Sequence, residues 1–458
     1  MRLGVHVTHS SRVPRAESLL PLPQLSLRRL NRDPLGVLER LRERQGGAAV
    51  AFIGRQRVVY VSDPDLVEGV FVTNADSVGK WGRTERRWRA GGPRRHGSTW
   101  LSSHRKAAYL PARRALLTRY ARARTAADVP AFAKLTEQFL AEADGEPTDL
   151  FAFCEDLLVA TTTYHLLGLR LTPERAREIA RLYRRTVLGV PGTFTSPIRE
   201  RGLTQVGARR TRCSQRAAQA QFAQTLRGLV ASADASDPSS IPGLIAAGVI
   251  GEEALGGIPG PVAPLAHLLL ALGEAGDTAA ALRADAARVL AREPDLPAHY
   301  EAAVRESVRL GATWRVNRIV LEPFAADSIS YRPGDVVVSS PHLLHRDPRF
   351  WAAPDAFSLA NWEEEAARAR PARAFIPFGF PSRSCVGKNI VYTQLAAIGA
   401  TIAAGWGVEL LGKPPEWFPR QDSEVVAREP IVGRIVRRSL SGIAAARASA
   451  PTAVHGSA

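Results

Sequence analysis

The chain has 458 residues, of which 45% are hydrophobic and 23% are charged. This is the composition of a globular protein with a large core, and it excludes collagen-like, disulfide-scaffold and wholly disordered chains. No run of about 18 uninterrupted apolar residues occurs, so we predict no membrane span. The three cysteines are too few for a disulfide framework and indicate a cytoplasmic protein with reduced thiols.

The net charge of +17 favours acidic partners. No nucleic-acid motif and no aromatic–basic interleaving accompanies this charge, so we expect no nucleic-acid partner. Two explanations of the positive charge stay open. The surface could dock an acidic redox protein, or it could simply be solvated.

The first hundred residues predict short elements. Residues 1–20 are predicted to be a flexible arm, and residues 79–100 a long loop whose part at 81–100 is a candidate lid. Apolar spacing and capping residues predict a helix at 35–44 after Asp33-Pro34 and another starting at Ser62-Asp63-Pro64-Asp65. A hairpin is expected between them, with strands at 48–53 and 57–61.

From residue 101 to about 315 the pattern is mostly helical. A helix start at Thr172-Pro173-Glu174 and a linker at 232–242 interrupt it. After this stretch we predict a β-rich patch at 315–340, a loop at 341–388, an apolar helix at 388–406 and a disordered tail at 446–458. Many helices with small β patches near both ends indicate one mainly-α domain over 21–445.

The segment with the clearest chemistry is the Pro/Gly-shaped loop at 375–387, which contains Cys385 and runs into a helix. A helix N-terminus and the nearby Arg383 are expected to favour the thiolate. A thiolate in such a place is a metal ligand or a nucleophile, and no Cys or His partners stand at zinc spacing. A lone thiolate on iron is the solution that haem proteins use. Cys154 and Cys213 are interpreted as buried structural cysteines.

This loop resembles the signature of the cytochrome P450 family, Phe-x-x-Gly-x-Arg-x-Cys-x-Gly. Phe378, Arg383, Cys385 and Gly387 match it, whereas Pro381 stands where Gly is usual.

A second landmark, Glu306-Ser-Val-Arg309, resembles the Glu-x-x-Arg helix of that family. The i,i+3 spacing places both side chains on one helix face. Three other pairs with this spacing are interpreted as solvated surface pairs: Glu39–Arg42, Glu174–Arg177 and Glu365–Arg368. The stretches at 341–351 and 354–357 also match the family, so the resemblance covers about 30–440.

The resemblance implies a cytochrome P450 fold that holds haem b between a central helix, about 251–273, and the helix after the Cys loop. Cys385 would be the axial iron ligand, and Glu306 with Arg309 a structural pair. Arg318, Arg383 and His104 would contact the haem propionates, as cationic or hydrogen-bonding groups do for buried carboxylates.

The implied activity is that of a monooxygenase oxidising a small organic metabolite, as in soluble bacterial members that act in secondary metabolism. Electrons would come from an acidic ferredoxin or flavodoxin with its reductase.

The chain departs from the family where the central helix usually carries an acid followed by Thr, which relay protons during oxygen activation. Pro259 and Gly260 occupy these positions, and neither side chain can donate a proton. Asn361 stands where an Arg usually supports the Glu-x-x-Arg pair, which predicts a weakened network. Three outcomes stay open: a monooxygenase with another proton path, an enzyme that does not activate dioxygen (a peroxygenase, isomerase or dehydratase), or a non-catalytic auxiliary protein.

Overall fold

The computed structural model describes most of the predicted domain. The described residues are 25, 27–80, 106–187, 205–250, 255, 257, 261–274, 276–327, 329–420 and 424–438. The predicted arm at 1–20, the candidate lid at 81–100 and the tail at 446–458 lie outside them.

Helices dominate the described chain, as predicted. The first eight are α1 (Leu27–Arg32), α2 (Pro34–Gln45), α3 (Pro64–Glu68), α4 (Lys106–Arg119), α5 (Arg122–Ala126), α6 (Val129–Ala143), α7 (Leu150–Leu167) and α8 (Pro173–Val187). The other eight are α9 (Gln205–Ser232), α10 (Ile241–Ala246), α11 (Val262–Gly273), α12 (Asp277–Leu290), α13 (Ala298–Leu310), α14 (Pro341–Leu344), α15 (Glu364–Ala369) and α16 (Lys388–Gly405).

Twelve short strands in the described residues form four sheets. They are β1 (Ala48–Ile53), β2 (Gln56–Val61), β3 (Val78–Lys80), β4 (Pro147–Asp149), β5 (Val316–Val320), β6 (Phe324–Ala326), β7 (Ile329–Tyr331), β8 (Val336–Ser339), β9 (Trp406–Leu410), β10 (Trp417–Pro419), β11 (Val425–Ala427) and β12 (Val432–Arg437). The largest sheet has the order β1-β2-β8-β5-β3, a second has β4-β12-β9, and β6–β7 and β10–β11 are two-stranded.

The two β patches predicted near both ends are one sheet in the structure. Strand β2 pairs in parallel with β8, and β3 pairs with β5, so residues 78–80 belong to a strand rather than to the predicted loop. Local sequence patterns predict individual strands but not which distant strands pair. The sequence therefore indicated these strands without showing that they form one sheet.

Capping side chains place several helix starts where the sequence predicts them. The Asp33 carboxylate accepts a hydrogen bond from Gly36 N at 2.9 Å, and the Asp63 carboxylate accepts one from Asp65 N at 3.0 Å. At the start of α8, Thr172 Oγ1 accepts from Arg175 N at 3.2 Å. These bonds satisfy amide groups that the first helical turn leaves without partners.

The main core is built around α7, α11 and α16, with α11 packed against both of the others and against α13. Helices α11 and α16 approach closely at Gly399, where a Cβ would lie 2.7 Å from Leu268 Cδ2. No single helix in the described ranges is long and apolar enough to cross a membrane; α11 and α12 reach the threshold only jointly, across a bend of 105°.

Two adjacent acids, Glu155 and Asp156, are buried where α7 packs against α8. Arg184 of α8 approaches both, with Nε 3.1 Å from Glu155 Oε2 and Nη2 3.9 Å from Asp156 Oδ1. Burial raises the pKa of Asp156 to about 6, although Arg184 and two further arginines of α8 oppose the increase. The folded state therefore binds a proton on Asp156 more readily than the unfolded chain does.

We expect the titration of Asp156 to contribute to the pH dependence of the unfolding free energy. A raised folded-state pKa contributes stability below pH 4, and that contribution is lost as the pH rises through 6. Relative to Asp156→Asn, the wild-type chain should lose about 2 kcal/mol of unfolding free energy between pH 4 and pH 6.5, measured by urea denaturation.

Asp234→Asn is a control of opposite sign. Asp234 is an exposed acid whose pKa is lowered by hydrogen bonds from Ser236, so its contribution grows as the pH rises. If the wild-type chain and Asp156→Asn showed parallel pH profiles, Asp156 would not be a buried titrating group.

Candidate functional site

The loop before α16 holds Cys385 in a fixed backbone geometry. Cys385 N donates a hydrogen bond to Phe378 O at 2.9 Å, which closes the loop on itself. The bend needs Gly379, whose φ of 75° lies in the left-handed region. The Phe378 ring packs edge-on against Tyr392 of α16, with the centroids 5.3 Å apart. Cys385 is thereby presented just before the first turn of α16.

Arg113 of α4 holds the same loop from outside, a contact that sequence reasoning missed. Its Nη1 donates to Ser384 O at 2.8 Å and its Nη2 to Ser384 Oγ at 3.0 Å. Nothing in the local sequence distinguishes Arg113 from the other arginines of α4, so only the tertiary structure reveals it.

The pKa of the Cys385 thiol is raised and not lowered, contrary to the sequence expectation. Burial raises its pKa, and the Gly387 N–H and Arg113 offset this only in part, while Glu424 raises it further. Arg113 is thus a cation that favours the thiolate and that the sequence did not indicate. The Cys385 side chain nevertheless keeps exposed surface, whereas Cys154 is completely buried, as predicted for a structural cysteine. Cys213 lies on α9, and its side chain is outside the described part of the structure.

Gly387 keeps the space beside the sulfur open. A Cβ at this position would lie 3.7 Å from Cys385 Sγ and 3.4 Å from Ile390 Cγ2. A side chain here would occupy the space beside the sulfur atom. The glycine therefore leaves room for a bulky ligand on Cys385.

Arg318 of β5 and Arg383 of the Cys loop lie near enough to interact. Burial and the charge of Arg383 lower the pKa of Arg318 to about 10. Two guanidinium groups in a partly desolvated place repel each other unless an anion lies between them. The pair, together with the accessible thiol, therefore fits a group that carries carboxylates and a thiolate-binding metal, as haem does.

Glu306 and Arg309 form a fully buried ion pair on α13, as the resemblance implies. Glu306 Oε2 accepts from Arg309 Nε at 2.7 Å, and Glu306 Oε1 accepts from Arg309 Nη2 at 2.8 Å. The remaining arginine donors reach backbone carbonyls of the segment after α14, at His345, Pro354 and Ala356. The pair thus ties α13 to the chain that leads to the Cys loop.

The network around Glu306 is not short of donors, although Asn361 replaces the usual Arg. Asn361 Nδ2, Trp362 Nε1 and Ser358 N donate to the Glu306 carboxylate at 3.0, 2.9 and 2.9 Å. The guanidinium of Arg370 lies 3.6 Å from the centroid of Trp351 and donates to Asn361 O. Neutral donors and a displaced cation therefore compensate for the weakening predicted from Asn361.

The other three i,i+3 pairs do not form between the residues that the spacing joins. Their arginines bind different acids, which are Asp347 for Arg42, Glu142 for Arg177 and Glu364 for Arg368. Among the pairs compared, the one followed by the family-like stretch is the buried pair.

Three predicted site residues lie outside the described chain: His104, Pro259 and Gly260. The helix predicted at about 251–273 is described only as α11, which begins at Val262 after Pro261. The described helix thus starts directly after a proline, which has no backbone N–H to donate.

Residues 264–429 match the family model described as cytochrome P450. Cyclooctatin synthase of Streptomyces melanosporofaciens is 31% identical over 159 residues, which are 33% of this chain and 35% of that relative. Cytochrome P450 monooxygenase FGM1 of Gibberella zeae is 32% identical over 129 residues, 27% of this chain and 26% of that relative. The aligned segments thus span about a third or less of these curated relatives.

Two solved structures share the fold over nearly their whole length. The heme domain of cytochrome P450DA superposes with a TM-score of 0.73 at 16% identity, covering 92% of this chain and 99% of that one. CYP175A1 from Thermus thermophillus superposes with a TM-score of 0.67 at 19% identity, covering 91% and 100%. The predicted mainly-α fold with small sheets is confirmed.

Proposed function

Since this chain belongs to the cytochrome P450 family, we propose that it is a haem-thiolate monooxygenase acting on a small organic metabolite. The observation that carries the proposal is Cys385, an accessible thiol held before α16 by a backbone hydrogen bond to Phe378 O and by the Gly387 N–H. The Streptomyces and fungal relatives support a role in secondary metabolism.

The residues that would hold haem b are Cys385, as axial ligand, and Arg318 and Arg383, for the propionates. His104 is a third proposed propionate contact. When bound, a haem-thiolate group supplies oxygen activation and oxidation of unreactive C–H bonds. Because burial raises the pKa of the Cys385 thiol, ligation must release its proton, and the Gly387 N–H and Arg113 ease that loss.

A second candidate function follows from Pro259 and Gly260. Without an acid or hydroxyl there, the central helix offers no side-chain proton donor at the usual position. This favours an enzyme that uses peroxide or rearranges an oxygenated substrate. The intact Cys385, Arg383 and Gly387 argue against a non-catalytic auxiliary.

The test compares oxidants and spectra. The purified chain should be red, and its reduced CO complex should show the long-wavelength band that a thiolate ligand produces. A colourless chain that does not bind haem would contradict both enzyme proposals. Faster substrate oxidation with dioxygen and a reductase than with peroxide supports the monooxygenase, and the reverse supports the second candidate.

Restoring the hydroxyl is expected to improve proton delivery. Gly260→Thr should raise the fraction of reductant that ends in product, measured as product formed per reductant consumed. Gly257→Thr, three residues earlier, is the positional control. An unchanged fraction in Gly260→Thr would show that protons already arrive by another route.

The electron donor proposed for the monooxygenase is an acidic ferredoxin or flavodoxin with its reductase. The net charge of +17 supports this choice because opposite charges steer association. One domain over 21–445 and a cytoplasmic location stay predictions.

A further inference from the structure

A cavity of about 320 Å³ lies between α2, the α14 region and β10. Glu39 and Arg42 contribute from α2, His342 and Arg346 from the α14 region, and Trp417 from β10. None of these residues belongs to the Cys loop or to the Arg318–Arg383 pair. The cavity is therefore a feature that the proposed function does not use.

His342 presents a hydrogen-bond donor to this cavity. Its Nδ1 lies 3.0 Å from Arg346 Nη1, and a guanidinium can only donate, so Nδ1 accepts and the ring proton is on Nε2. Burial and Arg346 hold the pKa of His342 well below its usual range, which keeps the ring neutral. Within the described part of the chain no acceptor receives a hydrogen bond from Nε2.

Arg346 carries a positive charge that the protein compensates poorly. Its Nη2 donates to Leu310 O at 2.8 Å, and its Nε lies 3.3 Å from Asp355 Oδ1, whose side chain is 82% exposed. Burial and Arg309 lower the pKa of Arg346 to about 10. Because the carboxylate of Asp355 is in solvent, a second anion bound beside Arg346 would further stabilise its buried positive charge. Arg42 adds another guanidinium at the cavity wall, where its Nη1 donates to the buried Asp347 Oδ2 at 2.9 Å and its other nitrogens make no further side-chain ion pair with a described residue.

The cavity also has a flat aromatic wall. Trp417 lines it and packs at an angle of 31° against the ring of His267 of α11, with the ring centroids 4.2 Å apart. His267 is 9% exposed, and its Nε2 is buried with no hydrogen-bond partner among the described residues. This unpartnered nitrogen behind the wall is a second sign, independent of the arginines, that the polar groups here are unsatisfied.

We propose that this cavity is a second binding site, which takes a small organic carboxylate. The carboxylate group would bind Arg346, Arg42 and the His342 Nε2–H, and its flat apolar body would lie against Trp417. Arg–carboxylate contacts supply the affinity, and the rim acids Glu39 and Asp355 disfavour ligands of higher negative charge.

Calorimetric titration of the full chain with benzoate tests the proposal. We expect a Kd of about 1 mM or tighter for benzoate and no binding of benzylamine, which has the same ring and the opposite charge. Tighter binding of inorganic phosphate than of benzoate, or equal binding of benzylamine, would overturn the assignment to an organic carboxylate.

Matched variants locate the site. Arg42→Gln should weaken benzoate binding about tenfold, because one charge-assisted contact is lost. Arg40→Gln, on the same helix but not at the cavity, removes the same charge and should leave affinity unchanged. His342→Leu should weaken binding similarly, with the exposed His299→Leu as its control. Far-UV circular dichroism verifies that each variant is folded.

One further variant separates this site from the proposed haem site. Cys385→Ala should leave benzoate affinity unchanged even if it abolishes the thiolate spectrum. Weaker binding in Cys385→Ala, with no effect of Arg42→Gln or His342→Leu, would place benzoate at the Cys loop and refute the second site. The proposed function is tested separately, by the spectrum of the CO complex and by the comparison of oxidants.

Discussion

Replacing Cys385 by alanine is expected to abolish the thiolate-type band of the reduced CO complex and all substrate oxidation. Cys154 cannot take over the ligand role, because it is completely buried inside α7 and burial raises its pKa well above the usual range. The loop itself should persist, since the hydrogen bond from residue 385 to Phe378 O is made by the backbone. The absorption spectrum with CO after reduction measures the result.

Cys154→Ala is the matched control. It removes a thiol from the core without touching the loop, so it should lower stability slightly while the CO spectrum stays unchanged. If Cys385→Ala kept the thiolate band and Cys154→Ala lost it, the proposed axial ligand would be wrong.

The parts of the fold that depend on neighbouring residues were predictable from sequence. The starts of α2, α3 and α8 follow from Asp33, Asp63 and Thr172, whose side chains bond amides two or three residues away. Spacing and composition likewise indicated the helix from 388, which the structure has as Lys388–Gly405. Capping and hydrophobic periodicity act over a few residues, so one sequence suffices to see them.

The parts that depend on contacts between distant residues were not predictable. The parallel pairing of β2 with β8 joins segments far apart in the chain, and Arg113 reaches Ser384 from another helix. The sequence also predicted a lowered pKa for Cys385, whereas the structure raises it, and the reason is related. Motif spacing showed the nearby Arg383 and the helix start but not the burial that outweighs them.

Replacing Glu306 by glutamine is expected to cost about 3–5 kcal/mol of unfolding free energy, because it leaves the fully buried guanidinium of Arg309 without a counter-charge. The glutamine amide would also face two donors, Asn361 Nδ2 and Trp362 Nε1, which now bond to the carboxylate. Domains are stable by only about 5–15 kcal/mol, so much of the folded population is at risk. Urea denaturation followed by circular dichroism measures the loss.

Glu301→Gln, on the same helix, shows whether burial is the cause. Glu301 carries the same charge as Glu306 and pairs with Arg305 at 2.6 Å, but both side chains of this pair are about half exposed. Water screens that pair, so its loss should cost less than about 0.5 kcal/mol. Equal costs for the two variants would mean that the Glu306 pair is no more than a helix ion pair. A large cost for Glu306→Gln alone would show that the ion pair and its carbonyl contacts fix α13 to the segment that leads to the Cys loop.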